Sequence, residues 1–448
     1  MGQNKGEGPV SGSHRRGMVW EIVVISLALL VTIGITSGLQ QPISFNGGRG
    51  WDGFKFERVA EQFARHEPLQ AQAPFVYRIG TPFLAAVVSP ENLYFGFKFV
   101  NLAAAIVSVF LLYFWLGLYL TARWVRVALV VLYIAQWHAP VRFVFYAPLY
   151  TDPLMLVALL AGLILIYKIA REPRWEWFGW MSVLVFVGVL VREVVLVLPV
   201  ALVVERFFSG RLALQERGRA MGWLYWVPLV CGAGALGLTH LIATQTNNYS
   251  FAGAAWEWLL AKHPWSYLQA WMIAFGPVLV LPLFNWRKSW AFLGANPGLG
   301  VCLGVFAVLG WIGGSDTERI LYWSFPIVFV LIGKAIEDNR FMLRSKLFLV
   351  VLGGTQLIAQ RVFWLVPDYP NAFPSVLPIL TPPSANVPYL DLFSEFSGRI
   401  VQAVSIVEYA VLTIAMILWL EHQKRHWRES IQTQALLFGT RSAGERDE

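Results

Sequence analysis

The chain alternates long apolar stretches with short polar connections. The first stretch, Met18 to Ser37, is long enough to cross roughly 30 Å of hydrocarbon at about 1.5 Å per helical residue. It has no small-residue cleavage site ahead of a soluble domain and reads as an anchor helix. Further apolar runs lie at about 94–120, 127–139, 153–169, 178–204, 223–243, 268–284, 298–312, 320–336, 347–365 and 401–420. The pattern predicts an all-α, polytopic transmembrane helix bundle.

Charge decides how the runs are threaded. Lys and Arg gather in short cytoplasmic loops, which places Arg15/Arg16, Arg123/Arg126, Lys168/Arg171/Arg174, Arg206/Arg211/Arg217/Arg219, Arg287/Lys288, Lys334/Arg340/Arg344/Lys346 and the tail Lys424/Arg425/Arg428 on one side. The run 178–204 has basic clusters at both ends, so it must enter and leave by the same face. Arg192 and Glu193 interrupt it, and splitting it there restores every loop to its side. The expectation is about 12 spans (11 to 13), a disordered cytoplasmic N-terminus (1–17), a membrane domain (18–420) and a cytoplasmic basic tail (421–448). A long re-entrant hairpin at 178–204 would keep the same sidedness.

The outer face then carries loops 38–80, 138–152, 244–267, 313–319 and 366–399. Only the first is rich in cations, with five Lys or Arg. Within it Phe56, Val59, Ala60 and Phe63 recur at i, i+3, i+4 and i+7 while Lys55, Arg58, Glu61 and Gln62 fall elsewhere, which predicts an amphipathic helix along the interface with Asp52 at its N-cap.

Composition agrees with a bilayer setting: 57% hydrophobic and 14% charged residues, with a mean hydropathy of +0.56, lie outside soluble usage. The net charge of +8 is spread between apolar runs rather than massed in a patch, so it reads as topology and not as nucleic-acid binding. Cys231 and Cys302 sit inside apolar runs without ligand spacing. The histidines His66, His138, His240 and His263 form no HxxH or HExxH, no GxxxxGK[ST] or GxSxG element occurs, and no GxGxxG opens a nucleotide-binding fold. The 21 tryptophans cluster near the predicted interfaces as an aromatic belt.

Candidate chemistry lies on the outer face. Asp52 either caps its helix or, at the mouth of a membrane cavity, takes a proton from an attacking hydroxyl or holds a divalent cation. Lys55, Arg58 and Arg78 either greet lipid phosphates or clamp one; Tyr77 accompanies Arg78. Asp152, before Pro153, is placed to cap a span, or to share a metal or a base-and-orienting division of labour with Asp52. Arg192 and Glu193 form a mutual ion pair or face a wet cavity. Asp316 and Arg319, in "GGSDTER", either only build the tight turn entering the next span or serve it with Asp316 as cap and Arg319 as clamp for a phosphate or pyrophosphate.

Taken in order, "WDGFKFERVAEQF", "YRIGTPFLA", "TDP", "LVREVVL" and "GSDTERILYWSFPIVFVLIG" resemble the polytopic glycosyltransferases of the GT-C class, over about residues 20–336. The resemblance implies a cell-envelope hexosyl- or pentosyltransferase, multi-pass in an inner or plasma membrane with both termini cytoplasmic. Its sugar would come from a polyprenyl-phosphate carrier and pass to a lipid-linked, glycan or small acceptor. It implies Asp52 as catalytic base or metal-site residue, Asp152 as a second acidic position, and Arg319 near the lipid phosphate, with Mg or Mn as the cation if one is used. Asp52 departs from the class in lacking a DxD or DxE partner. Two other readings are a 12-span secondary transporter, against which no matched pair of Gly/Pro-broken helices is seen, and an O-antigen-ligase-like or polymerase protein, which the late loop 366–398 would suit.

Overall fold

The computed structural model describes residues 12–208, 221–362, 365–366 and 399–444. Among these residues it is a helix bundle, with β structure limited to one short parallel pair, Leu69–Ala71 (β1) and Ala243–Gln245 (β2). Six helices among the described residues are long and apolar enough to cross a membrane, or up to eight when each of two bent helix pairs is counted once. The chain is a membrane protein.

After α1 (Gly12–Leu39), a turn rich in left-handed residues delivers α2 (Gly53–Ala64), β1 and α3 (Gly80–Val88). The predicted amphipathic helix is therefore present, but its apolar face meets protein rather than lipid. Phe56 and Ala60 are buried with Ala85, Ala86 and Phe97, and Phe63 packs edge-on against Phe83 at 5.3 Å. A stripe that repeats every three to four residues says only that one side is covered, not by what.

The bundle proper begins with α4 (Leu93–Gly117), α5 (Arg123–Ala135), α6 (Pro140–Tyr146) and α7 (Asp152–Arg171). α7 opens with Pro153, whose missing N–H is lost at no cost in a first turn, and closes with Lys168 and Arg171 near its carbonyl end. Core packing is aromatic where α4 and α5 meet α17 (Phe325–Asp338). Tyr133 stacks on Phe325 at 4.7 Å, and the fully buried Trp115 donates its indole N–H to the Pro326 carbonyl at 2.8 Å, which removes the penalty of hiding that donor.

The run 178–204 is broken where its two charges lie. α8 (Trp175–Val191) ends at Arg192, which is extended at φ −163°, and a short 3-10 turn, Glu193–Leu196, leads into α9 (Val197–Phe208). α10 (Val227–Ile242) then runs to β2, and α11 (Phe251–Ala261) follows with none of its residues buried.

The run 268–284, expected as one span, is instead bent by 100° between α12 (Pro264–Phe275) and Pro277–Phe284. Gly276 takes φ +73°, a left-handed conformation open to glycine, and Pro277 cannot continue the helical bonding. Two buried glutamines of α18 (Lys346–Ala359) and its end repair the break. Gln356 accepts from the Val278 N–H and donates to the Phe275 carbonyl, each at 2.9 Å, and Gln360 donates to the Ile273 carbonyl at 3.1 Å. Irregular backbone at membrane depth survives when protein groups satisfy it in this way. α13 (Val280–Phe284), α14 (Trp286–Ala295) and α15 (Pro297–Ile312), the last two bent by 114° from each other, α16 (Thr317–Tyr322), α17, α18 and a long helix, α19 (Arg399–Gly444), complete the described elements.

Candidate active site

Asp52 stands at the N-cap position of α2, yet its side chain makes no cap bond. The carboxylate instead receives the Lys55 ammonium at 3.2 Å, and that ammonium lies 4.1 Å over the Phe75 ring. Asp52 is thus left with two-fifths of its side chain exposed, on the wall of a cavity of about 520 Å³.

Arg78 follows a single 3-10 turn, Phe75–Tyr77, and reaches across to Glu193. The contact is two-pronged: Nε donates to Oε2 at 2.9 Å and Nη2 to Oε1. Burial opposes charge on the Arg78 guanidinium, but the Glu193 carboxylate beside it holds its pKa above the ordinary arginine value. Burial likewise opposes charge on Glu193, and Arg78 pulls its pKa down to about 2.

Arg192 and Glu193 therefore do not pair with each other. Because Arg192 is extended, successive side chains point to opposite sides, and Arg192 turns to Asp152 while Glu193 turns to Arg78. Asp152 is buried at the first turn of α7, with only 5% of its side chain exposed. It accepts from Arg192 and, at 3.0 Å, from the Trp323 indole, with Arg319 Nε 3.8 Å away. The Trp323 ring lies under the Arg192 guanidinium at 4.5 Å. Asp316 begins α16 without capping it by its side chain, and holds Arg319 Nη2 at 2.9 Å; the Arg319 guanidinium lies 4.8 Å over the Tyr150 ring.

The result is a chain of ion pairs drawn from four distant parts of the sequence. Asp52, Arg78, Arg192, Glu193, Asp316 and Arg319 all line the 520 Å³ cavity. Its remaining walls are largely apolar, with Val197 and Val200 from α9, Val305 and Leu309 from α15, and Trp258 from the exposed α11. A guanidinium has five N–H donors, more than these carboxylates occupy. An amphiphilic anion with a greasy tail fits such a pocket: the free N–H edges take the headgroup and the aliphatic wall takes the chain.

Other expected residues lie elsewhere. Asp152 sits behind the wall as the counter-charge that orients Arg192. Arg58 is exposed and pairs with Glu61 at 3.4 Å on the far side of α2. Tyr77 packs its ring, tilted by 37°, against His240 at 3.8 Å and donates to Gln245 at 3.3 Å, which ties the Arg78 turn to the β2 strand without reaching the cavity. Lys55 acts through Asp52.

A divalent cation between Asp52 and Asp152 does not fit the donor set. Both oxygens of Asp152 already meet cationic or N–H donors, Asp52 meets an ammonium, and among the described residues no group of three or more His, Cys, Asp or Glu converges.

Three contributors escaped the sequence reading. Trp323 holds Asp152, Tyr150 underlies Arg319, and the buried Lys262 donates to the Gly310 and Gly314 carbonyls at 2.7 and 2.6 Å, which ties down the turn that presents Asp316. The first two follow an aspartate or an arginine in space but not in sequence. Lys262 had a signal, as the single cation of its loop.

No protein-family model matches the chain, and no curated protein matches it.

Proposed function

We propose that this chain is an integral-membrane glycosyltransferase that moves a hexosyl or pentosyl group from a polyprenyl-phosphate carrier to a lipid-linked or small glycan acceptor at the non-cytoplasmic face. The observation that carries the reading is the convergence of Asp52 with Arg78, Arg192 and Arg319 on one cavity whose other walls are aliphatic. The order of short motifs that resembles the GT-C class points the same way.

In this mechanism Asp52 takes the proton from the acceptor hydroxyl. The hydroxyl oxygen forms its bond to the anomeric carbon as the carbon–oxygen bond to phosphate breaks, and the electron pair leaves with the polyprenyl phosphate. The guanidiniums stabilise the charge gathering on that phosphate. No step is routed through a metal ion.

The topology belongs to the same proposal. Counting α1, α4, the α5–α6 pair, α7, α8, α9, α10, the bent α12 unit, α15, α17, α18 and α19 gives twelve crossings with both termini cytoplasmic. Four of these helices, α8, α9, α17 and α18, have 17 residues or fewer, too short to qualify as spans by length alone. Thinning of the bilayer around short spans accommodates them at modest cost.

The test is Asp52→Asn in membranes supplied with a labelled polyprenyl-phosphate sugar. Transfer is expected to fall by at least a hundredfold with the protein still folded and membrane-inserted. Full transfer by the variant removes Asp52 from the mechanism, and sugar uptake by proteoliposomes in place of transfer identifies a transporter. The late loop of the ligase-like reading lies outside the described residues; loss of activity on deleting it, with Asp52→Asn fully active, favours that alternative.

A further inference from the structure

A second, smaller chamber opens off the first. It measures about 180 Å³ and shares Asp52, Ser315, Asp316 and Arg319 with the 520 Å³ cavity, so these four residues form the partition between the two spaces. Its own walls are of a different kind: the rings of Trp51, Phe143 and Tyr150 and the methyl group of Ala147.

Charge and size narrow what it takes. Its lining carries two cations, Arg49 and Arg319, against two anions, Asp52 and Asp316, and Arg49 is further engaged by Glu57. The chamber therefore has no surplus positive charge for a second phosphate. What it offers is carboxylate oxygens, which accept from hydroxyls, beside ring faces, which pack against C–H groups. Alternating C–H faces and equatorial hydroxyls are the surface of a sugar ring. Pockets for drug-sized ligands run to about 300–1,000 Å³; the larger cavity falls in that range, whereas 180 Å³ suits a single ring.

We propose that this chamber is a monosaccharide subsite that holds one neutral, polyhydroxylated ring against Trp51 and Tyr150, with Asp52 and Asp316 accepting from its hydroxyls. The assignment rests on the transferase reading. It adds that donor and acceptor chemistry are divided between two chambers, with Asp52 at the boundary. The ring is either the sugar being transferred or the terminal sugar of the acceptor; both present the same surface.

The experiment uses the full chain in lipid nanodiscs and ligand-observed NMR. The probes are methyl glycosides of mannose, glucose, galactose and arabinofuranose, decyl phosphate, and the decyl phosphoglycosides of the same sugars. Two variants alter the chamber in opposite senses: Trp51→Ala removes a wall and Ala147→Trp fills the space. The expected result is saturable binding of at least one methyl glycoside, weakened at least tenfold in both variants, with decyl phosphate binding unchanged within twofold as the control for folding.

Displacement of that glycoside by the decyl phosphoglycoside, but not by decyl phosphate, identifies the ring as the donor's; simultaneous binding of both identifies it as the acceptor's. Decyl phosphate binding with no glycoside binding, or glycoside binding indifferent to both variants, overturns the subsite and leaves the carrier reading standing. Glycoside binding lost in the variants, with no decyl phosphate binding in the parent, supports the subsite and removes the carrier reading. Binding of neither overturns both.

Discussion

Asp52 and Asp152 are both aspartates at the start of a helix, and burial separates their roles. Asp152 keeps 5% of its side chain exposed and Asp52 keeps 40%. Removing one member of a buried, hydrogen-bonded ion pair leaves the other charge stranded, at a cost of about 3–5 kcal/mol. Asp152→Asn is therefore expected to lower the melting temperature of the purified protein sharply, while Asp52→Asn, which loses an exposed pair worth about 0–1 kcal/mol, leaves it nearly unchanged. Equal melting temperatures would show that Asp152 is not the counter-ion that fixes Arg192. Glu193 makes a prediction in pH. Its folded pKa is depressed to about 2, so its contribution with Arg78 is fully present above the ordinary carboxylate range and is lost as pH falls toward that value. The destabilisation caused by Glu193→Gln should be constant from about pH 5 to 8 and shrink below about pH 4; thermal melts at pH 7 and pH 3.5 check the sign. At this scale the sequence picked out most of the charged groups that meet, because ionisable residues beside apolar runs are costly enough to need a reason. It did not show who pairs with whom. The adjacency of Arg192 and Glu193 suggested a mutual pair, and the extended conformation at Arg192 sent them to different partners.

At the scale of elements, two breaks in apolar runs decide the architecture. The one at Arg192 was legible, since charges flanked by valines and leucines must leave the hydrocarbon or find partners. The one at Gly276–Pro277 was not read from the sequence although both residue types signal it, because a Gly-Pro pair inside a span is tolerated whenever other side chains supply the missing bonds. The suppliers, Gln356 and Gln360, lie about eighty residues away. Gly276 is not among the residues that line the cavity of Asp52 and the arginines. The crossing of α3 over the end of α8 offers a test of how tightly the Arg192 break is held. A methyl group added at Gly80 would come within 2.7 Å of Val191 Cγ2 and 3.0 Å of the Val191 backbone nitrogen, closer than real contacts allow. Gly80→Ala is expected to push α3 away from the residue next to Arg192, destabilise by about 1–3 kcal/mol, and weaken decyl phosphate binding severalfold. Gly34, with nothing within 4 Å, is the control; Gly34→Ala should change neither melting temperature nor binding. Similar behaviour of the two variants would mean that the α3–α8 contact does not position the cavity wall.

Over the whole molecule, the transferase reading depends on one relation: α2, the Arg192 turn and α16 must open to the same aqueous side. Side-by-side placement of their residues around one cavity is necessary for this but is not a statement about a bilayer. The basic loops argue the orientation, because moving lysines and arginines across a membrane is disfavoured and short loops keep them inside. α7 runs from Asp152 on the cavity side to Arg171, Glu172 and Arg174 at its other end, 20 residues or about 30 Å away. On the proposed topology this puts the cavity on the non-cytoplasmic side. Single cysteines test this in a background with Cys231→Ser and Cys302→Ala. Glu67→Cys, after α2, and Asn248→Cys, after β2, are on exposed residues of the cavity side; Glu172→Cys and Lys288→Cys are on exposed residues of the opposite side. A membrane-impermeant maleimide applied to intact cells or spheroplasts should label the first two and reach the second two only after permeabilisation. Labelling of Glu172→Cys together with Glu67→Cys from outside would break the sidedness of α7 and with it the twelve-crossing path. Uniform reversal, with only the basic side labelled, would keep the path but turn the cavity toward the cytoplasm. Asp52 would then face a leaflet where a carrier exposed on the outer surface could not reach it, and the short helices would have to be explained by some chemistry other than transfer at the non-cytoplasmic interface.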